Sequence, residues 1–191
     1  MNKIVLDIET QKEFSEVGGR SNYDKLRISL CVAYSFADNK YFCFDESNLT
    51  KLGEILQSAD QVIGYNISEF DYKVLQPYFN FSLAALPTLD ILQEIERTLG
   101  HRIRLEAIAQ GTLGVGKSGS GVGAVNLWKE GRVEELRKYC EDDVRLTKEI
   151  YEYGTKSGKL RYQVFFDIRE ILVSFPEPVP RVNTAVQTSL F

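Results

Sequence analysis

The first ordered pattern in the chain is Lys3-Ile4-Val5-Leu6-Asp7-Ile8-Glu9-Thr10, a short apolar run interrupted by two acids. Its length and its β-branched content predict a strand. Strand side chains alternate, so Ile4, Leu6 and Ile8 share one face and Val5, Asp7 and Glu9 the other. Ile28 to Phe36 and Lys40 to Phe44 predict two more strands, joined through Ala37-Asp38-Asn39 as an antiparallel hairpin. A helix is predicted from Asp45-Glu46-Ser47 to about Ser58, with Leu49, Leu52, Ile55 and Leu56 as its apolar stripe. Gln61 to Asn66 reads as a short strand. A helix from about Ser68 to Tyr78 follows, with Ser68 as its cap and Pro77 near its end.

Leu89 to Leu99 and Leu105 to about Gln110 read as short helices, and Gly111 to Gly123 as a glycine-rich loop. Ala124 to Lys129 is a further short helix carrying the only tryptophan, Trp128. Val133 to about Tyr153 has the clearest helical period, with Leu136, Tyr139, Cys140, Leu146, Thr147 and Ile150 on one stripe. Its charges fall mostly outside that stripe, with Glu134–Lys138 and Glu141–Arg145 spaced for ion pairs. Lys159 to Ser174 alternates like a hairpin, and Pro176, Pro178 and Pro180 predict an extended segment after it. The expected division is a main domain over 1–155, a hairpin extension over 156–175 and an extended tail over 176–191.

Four acids break these patterns. Asp7 and Glu9 point the same way, about 7 Å apart along their strand. A solvated edge strand explains that pair as well as a metal shelf does. Asp71 falls in the first turn of its helix, beside Phe70, Val74 and Leu75. The helix dipole favours an acid there but says nothing of Asn66 and Phe70 nearby. Asp143 lies four residues after Tyr139 and three before Leu146, inside an apolar stripe. Oxygen-only ligation of this kind suits Mg²⁺ or Mn²⁺, and no Cys/His cluster argues for zinc.

Composition adds limits rather than identity. A length of 191 residues suits one main domain with a full core, and 43% hydrophobic with 26% charged residues fits a globular chain. The net charge of −4 excludes a generally basic nucleic-acid coat, yet leaves a metal-neutralised acidic site open to phosphate. The three cysteines (Cys31, Cys43 and Cys140) form no C-x-x-C pair, and no signal peptide or membrane-length apolar run is seen. A cytoplasmic location is expected.

The acids also sit in motifs. Asp7-Ile8-Glu9, Asn66-Ile67-Ser68-Glu69-Phe70-Asp71 and Tyr139-Cys140-Glu141-Asp142-Asp143 follow one another in the order of the three motifs of the DEDD superfamily of 3′–5′ exonucleases. The chain resembles that superfamily in its tyrosine variant. The histidine variant would need a histidine where Lys138 stands. The resemblance is closest to the YprB-like domains and to the proofreading exonucleases of family B DNA polymerases. It covers about residues 1–155. It implies a ribonuclease H-like α/β fold with a mixed central sheet flanked by helices. It implies that Asp7, Glu9, Asp71 and Asp143 bind two Mg²⁺ or Mn²⁺, that Tyr139 positions the attacking water, and that Glu9, Asn66 and Phe70 meet the terminal nucleotides. The implied substrate is single-stranded DNA, with RNA as the alternative.

Two other stretches carry letters of known motifs. Gly111-Thr112-Leu113-Gly114-Val115-Gly116-Lys117-Ser118 matches the P-loop pattern. A P-loop needs a strand before it and a helix starting at its lysine. Here a helical pattern precedes and Gly119-Ser120-Gly121 follows, so a nucleotide site is not expected, although Lys117 could reach a substrate phosphate. Gln187-Thr188-Ser189-Leu190-Phe191 resembles the clamp-binding peptide of bacterial replication and repair proteins. That resemblance implies a sliding clamp as partner, through Gln187, Ser189, Leu190 and Phe191. A clamp-binding adaptor without catalysis is the alternative from another class.

Overall fold

The computed structural model describes residues 1–116 and 123–178. Five strands form the main sheet: β1 (Lys3–Thr10), β2 (Ile28–Ser35), β3 (Lys40–Phe44), β4 (Gln61–Gly64) and β5 (Thr88–Asp90). Their order is β3-β2-β1-β4-β5, with β1 in the middle. β1 pairs antiparallel with β2 and parallel with β4, so the sheet is mixed. This is the mixed central sheet flanked by helices that the resemblance implies.

The alternation along β1 divides the interior in two. Ile4, Leu6 and Ile8 pack with α1 (Leu49–Ser58) and α2 (Asp71–Leu75). Val5 packs on the other side, in one cluster with residues of α3 (Ile91–Leu99), α4 (Leu105–Leu113), α5 (Ala124–Lys129) and α6 (Val133–Ser157). Asp7 and Glu9 stand opposite Val32 and Leu30 of β2, both members of that second cluster. The acids therefore share the α6 side of the sheet, and neither is on a solvated edge strand.

A short antiparallel hairpin, β6 (Lys159–Val164) and β7 (Asp167–Leu172), forms a separate two-stranded sheet. It buries Leu160, Tyr162 and Ile171 in the α6-side cluster. The chain beyond it turns back along the domain. Phe175 stacks on Tyr151 at 5.9 Å, and Glu177 pairs with Lys3 at 2.8 Å. Among the described residues no helix is long and apolar enough to cross a membrane.

Several element boundaries differ from expectation. α1 begins at Leu49, because Asp45 is engaged in a turn in which its carboxylate accepts from the Ser47 amide at 2.8 Å. α4 runs on through Gly111 to Leu113, and α6 runs on to Ser157, where Gly158 ends it in a left-handed conformation. Glu141 pairs backwards with Arg137 at 2.9 Å, leaving Arg145 to Asp142 and Glu149. Leu89 belongs to a three-residue strand rather than to a helix, because α3 starts only after Asp90.

Candidate active site

The site gathers where β1 outruns its parallel neighbour. β4 pairs with β1 only from Lys3 to Val5 and ends at Gly64, so Asp7 and Glu9 lie beyond it at the carboxyl end of the sheet. Crevices of this kind hold the ligands of open α/β sheets. On the β2 side the pairing register shifts between Glu9 and Thr10. Such irregularities re-aim side chains at the ends of strands.

Asp71 arrives from the turn after β4, and Asp90 organises that turn. The Asp90 carboxylate accepts from the amides of Asn66 and Ser68 at 2.9 and 3.0 Å, and from Leu92 and Gln93 at 3.1 and 3.4 Å. One buried acid thus caps α3 and holds the chain ahead of α2. Asn66 takes φ 69°, a left-handed conformation that suits asparagine better than most residues. Gly64 is dictated by closeness: a Cβ there would sit 2.5 Å from the Ile67 Cβ. Ser68 does not cap α2, as it was expected to. Its amide is committed to Asp90, and Phe70 occupies the cap position.

α6 closes the site from the other side. Cys140 is buried, and its Sγ lies 3.5 Å from the Asp7 carbonyl and 3.6 Å from Asp7 Oδ2. Ligand atoms of Asp7, Glu9 and Cys140 all lie within 4.8 Å of one another. Asp143 is buried one turn further along the same face of α6, and Tyr139 is half-buried one turn before Asp143. The sheet and α6 thus bring Asp7, Glu9 and the Tyr139–Asp143 turn together. Asp71 joins them electrostatically through Asp7.

The charges are not at ease with one another. Burial and then the Asp7 charge push the Asp71 carboxyl well above the usual carboxylate range, against hydrogen bonds from its own amide and that of Ile8. Burial, with Asp7 and Glu9 next, likewise pushes the Cys140 thiol up. In the metal-free site Cys140 is a neutral thiol that donates to Asp7. The remaining donors are carboxylates, a set that fits a hard divalent cation rather than zinc. The sequence pattern places Cys140 in the apolar stripe of its helix and gives Asp90 no role. The available signals were the three-residue step from Cys140 to Asp143 and an acid immediately before an apolar helix.

Asn66 and Phe70, the latter next to Asp71 in the chain, line a groove with Phe14, Arg20, Tyr23, Glu69 and Arg102. Lys117, Gln187, Ser189, Leu190 and Phe191 lie outside the described residues.

The model of the RNase H superfamily matches residues 4–155, most of the chain. The chain belongs to the RNase H superfamily. No curated protein matches it. A solved structure it resembles is the family B DNA polymerase from the hyperthermophilic archaeon Pyrobaculum calidifontis, at 17% identity with a TM-score of 0.62. The likeness covers 80% of this chain and 24% of that polymerase, so the chain spans about a quarter of its structural neighbour. At that identity the likeness is one of fold. Membership of the RNase H superfamily and the acid cluster on its central strand together support nuclease activity.

Proposed function

We propose that this RNase H superfamily chain is a 3′–5′ exonuclease of the tyrosine-variant DEDD type, close to the YprB-like domains. In this reading it hydrolyses phosphodiester bonds of single-stranded DNA with two Mg²⁺ or Mn²⁺ and releases nucleoside 5′-monophosphates. One observation carries the reading: Asp7 and Glu9 crowd together at the carboxyl end of the central strand, and burial, with the Asp7 charge next, pushes the Asp71 carboxyl well above the usual carboxylate range. Such a cluster is costly until a cation neutralises it.

Asp7, Glu9, Asp71 and Asp143 would hold the ions. Bound divalent metals supply a more acidic water and charge stabilisation on the phosphate. The chain's own groups do the rest. The Tyr139 hydroxyl orients the water that attacks phosphorus as the bond to the leaving 3′-oxygen breaks. Glu9 accepts from the terminal 3′-hydroxyl. Asn66 and Phe70 shape the pocket for the terminal nucleotides, with Lys117 near a backbone phosphate. Orientation and preorganised charge are the main catalytic resources of such a site.

The tail reading is separate: Gln187, Ser189, Leu190 and Phe191 dock on a sliding clamp and recruit the enzyme to replication or repair. Docking a short extended peptide through two apolar anchors is an ordinary recognition mode. Removing the last five residues should abolish co-elution with a clamp and leave hydrolysis of short oligonucleotides intact. Unchanged co-elution would dismiss the tail reading.

The activity is tested by release of labelled mononucleotide from 3′-labelled single-stranded DNA and RNA in Mg²⁺ or Mn²⁺. DNA should be degraded faster, and Asp7→Ala and Asp143→Ala should each abolish release. Faster degradation of RNA would make the enzyme an exoribonuclease. No release from either strand, or release untouched by both substitutions, would reject the reading.

A further inference from the structure

The least expected surface of the molecule is the tip of the β6–β7 hairpin. Phe165 and Phe166 are adjacent there and 89% and 103% exposed. Phe165 also takes φ 51°, a left-handed conformation unfavourable for a bulky side chain. The Gln163 side-chain amide fastens the turn by donating to the Phe165 carbonyl at 3.0 Å. Two phenyl rings are thus held in water on a backbone conformation that works against them, and the core gains nothing from either ring.

The tip does not stand alone. Phe165 lines a groove of about 300 Å³ with Arg104, Glu106, Gln110 and Gln163. Two residues before Arg104, Arg102 lines a second groove of about 470 Å³ with Phe14, Arg20, Tyr23, Asn66 and Phe70. One short segment, Arg102-Ile103-Arg104, therefore borders both grooves. It is fixed on its inner side: the Tyr65 hydroxyl donates to the Ile103 carbonyl at 2.8 Å, and Arg102 donates to the Asn66 side chain. Arg102 and Arg104 are exposed while Ile103 packs inward.

The second groove is itself aromatic. Phe14, Tyr23 and Phe70 meet edge to face with centroids 5.1, 6.1 and 6.2 Å apart, and the Arg20 guanidinium lies 5.8 Å from the Phe14 centroid. Glu69, also on its rim, is neutralised by Lys73 at 2.6 Å.

Rings and guanidinium groups alternating along one surface suit a single strand of nucleic acid. Unpaired bases stack on aromatic faces whatever their sequence, while arginines follow the phosphates. A duplex keeps its base faces inside the stack and could not use them. We propose that a single-stranded substrate leaves the acid cluster past Arg102 and Arg104, and that nucleotides upstream of the cleaved end stack on Phe165 and Phe166. This rests on the nuclease reading of the acid cluster and adds a binding surface remote from it.

The test is the dependence of KM on substrate length, with oligothymidylates of four and twelve nucleotides. The wild type should show a KM about tenfold or more lower for the longer strand, the contribution of one or two stacked bases. In F165S/F166S, two exposed positions where folding is not at stake, the twelve-nucleotide KM should rise towards the four-nucleotide value. The kcat on the short strand should not change. Arg104→Ala should lower the slope of log affinity against log salt by about 0.7.

A length dependence that survives F165S/F166S would overturn the proposal. So would a wild-type dimer that the double substitution makes monomeric while length dependence stays intact, since the rings would then serve a second copy of the chain. If neither oligonucleotide is hydrolysed, the nuclease reading fails instead. Fluorescence anisotropy with labelled twelve-nucleotide DNA then decides the surface: about tenfold weaker binding by F165S/F166S supports it, and equal binding overturns it.

Discussion

Of the stretches that carry the letters of a catalytic motif, the first and the glycine-rich one fare differently. Asp7-Ile8-Glu9 is a weak match to anything, since one acid, any residue and another acid are common. Gly111 to Ser118 satisfies an eight-residue P-loop pattern in full. In the fold, the weak motif sits at the carboxyl end of the central strand, within reach of a buried helix face. The strong one begins inside a helix: Gly111, Thr112 and Leu113 close α4, and Gly114 ends it with φ 72°. A phosphate cradle needs a strand running into the loop, and here a helix runs in. Gly111 has a plainer purpose. A Cβ there would lie 2.6 Å from the Tyr162 backbone, so glycine lets α4 lie directly on β6. The element that carries a motif decides its chemistry more than the letters do.

Substitutions can sharpen or break that contrast. The largest effect is expected from Asp7→Ala, about a thousandfold loss of nuclease rate or more, measured in single-turnover hydrolysis of a short strand. Lys117→Ala in the same assay should cost less than tenfold. Equal losses at the two positions would erase the distinction between the stretches.

Asp90→Ala comes next. It removes an acceptor shared by four amides, and thermal or urea unfolding should register about 2–3 kcal/mol. Because the turn before Asp71 loosens with it, the surviving folded protein should also be slower. Gly111→Ala should cost about 1–3 kcal/mol through overpacking against Tyr162, with kcat per folded molecule unchanged. A gain of stability there would mean that α4 does not lie on β6 as described.

A smaller effect concerns pH. The folded Asp71 carboxyl titrates above its unfolded value, so between the two the folded state holds the extra proton. Stability of the metal-free protein should therefore fall as pH rises from the usual carboxylate value, near 4, towards the folded one. Asp71→Asn should flatten that fall and raise the metal-free melting temperature at pH 7. Adding Mg²⁺ or Mn²⁺ should raise the melting temperature of the parent more than that of the variant. A metal-free melting curve with the same pH dependence in both proteins would count against the crowded acid. The smallest expected effect is a null one: no micromolar ATP affinity, by calorimetry, in the wild type or in Lys117→Ala.

Much of this was legible in the chain, for reasons that can be stated residue by residue. β1 was readable because polar residues bound its apolar run on both sides, and its alternation placed Asp7 and Glu9 beside Val5 as the fold does. Asp143 was readable because it interrupts a stripe that otherwise excludes charge. The turn before Asp71 was not. The pattern predicts a helix from Ser68, but Asp90 draws the Asn66 and Ser68 amides to itself from across the β4–β5 edge, and no local period shows a partner 24 residues away. β5 has three residues, too few for any period. Cys140 was hidden by its own chemistry, since a thiol reads as apolar until an acid lies 3.6 Å from it.

The central claim is that the crowded acids at the end of β1 are the working centre of a nuclease. The most direct measurement follows a 5′-labelled single strand in Mn²⁺ or Mg²⁺ with the wild type and with Asp7→Asn, which keeps the shape of the side chain and removes its charge. The wild type should produce a ladder that shortens one nucleotide at a time from the 3′ end, and Asp7→Asn should leave the strand intact over the same period. A ladder of the same rate from Asp7→Asn, or fragments that appear without stepwise shortening, would contradict the account.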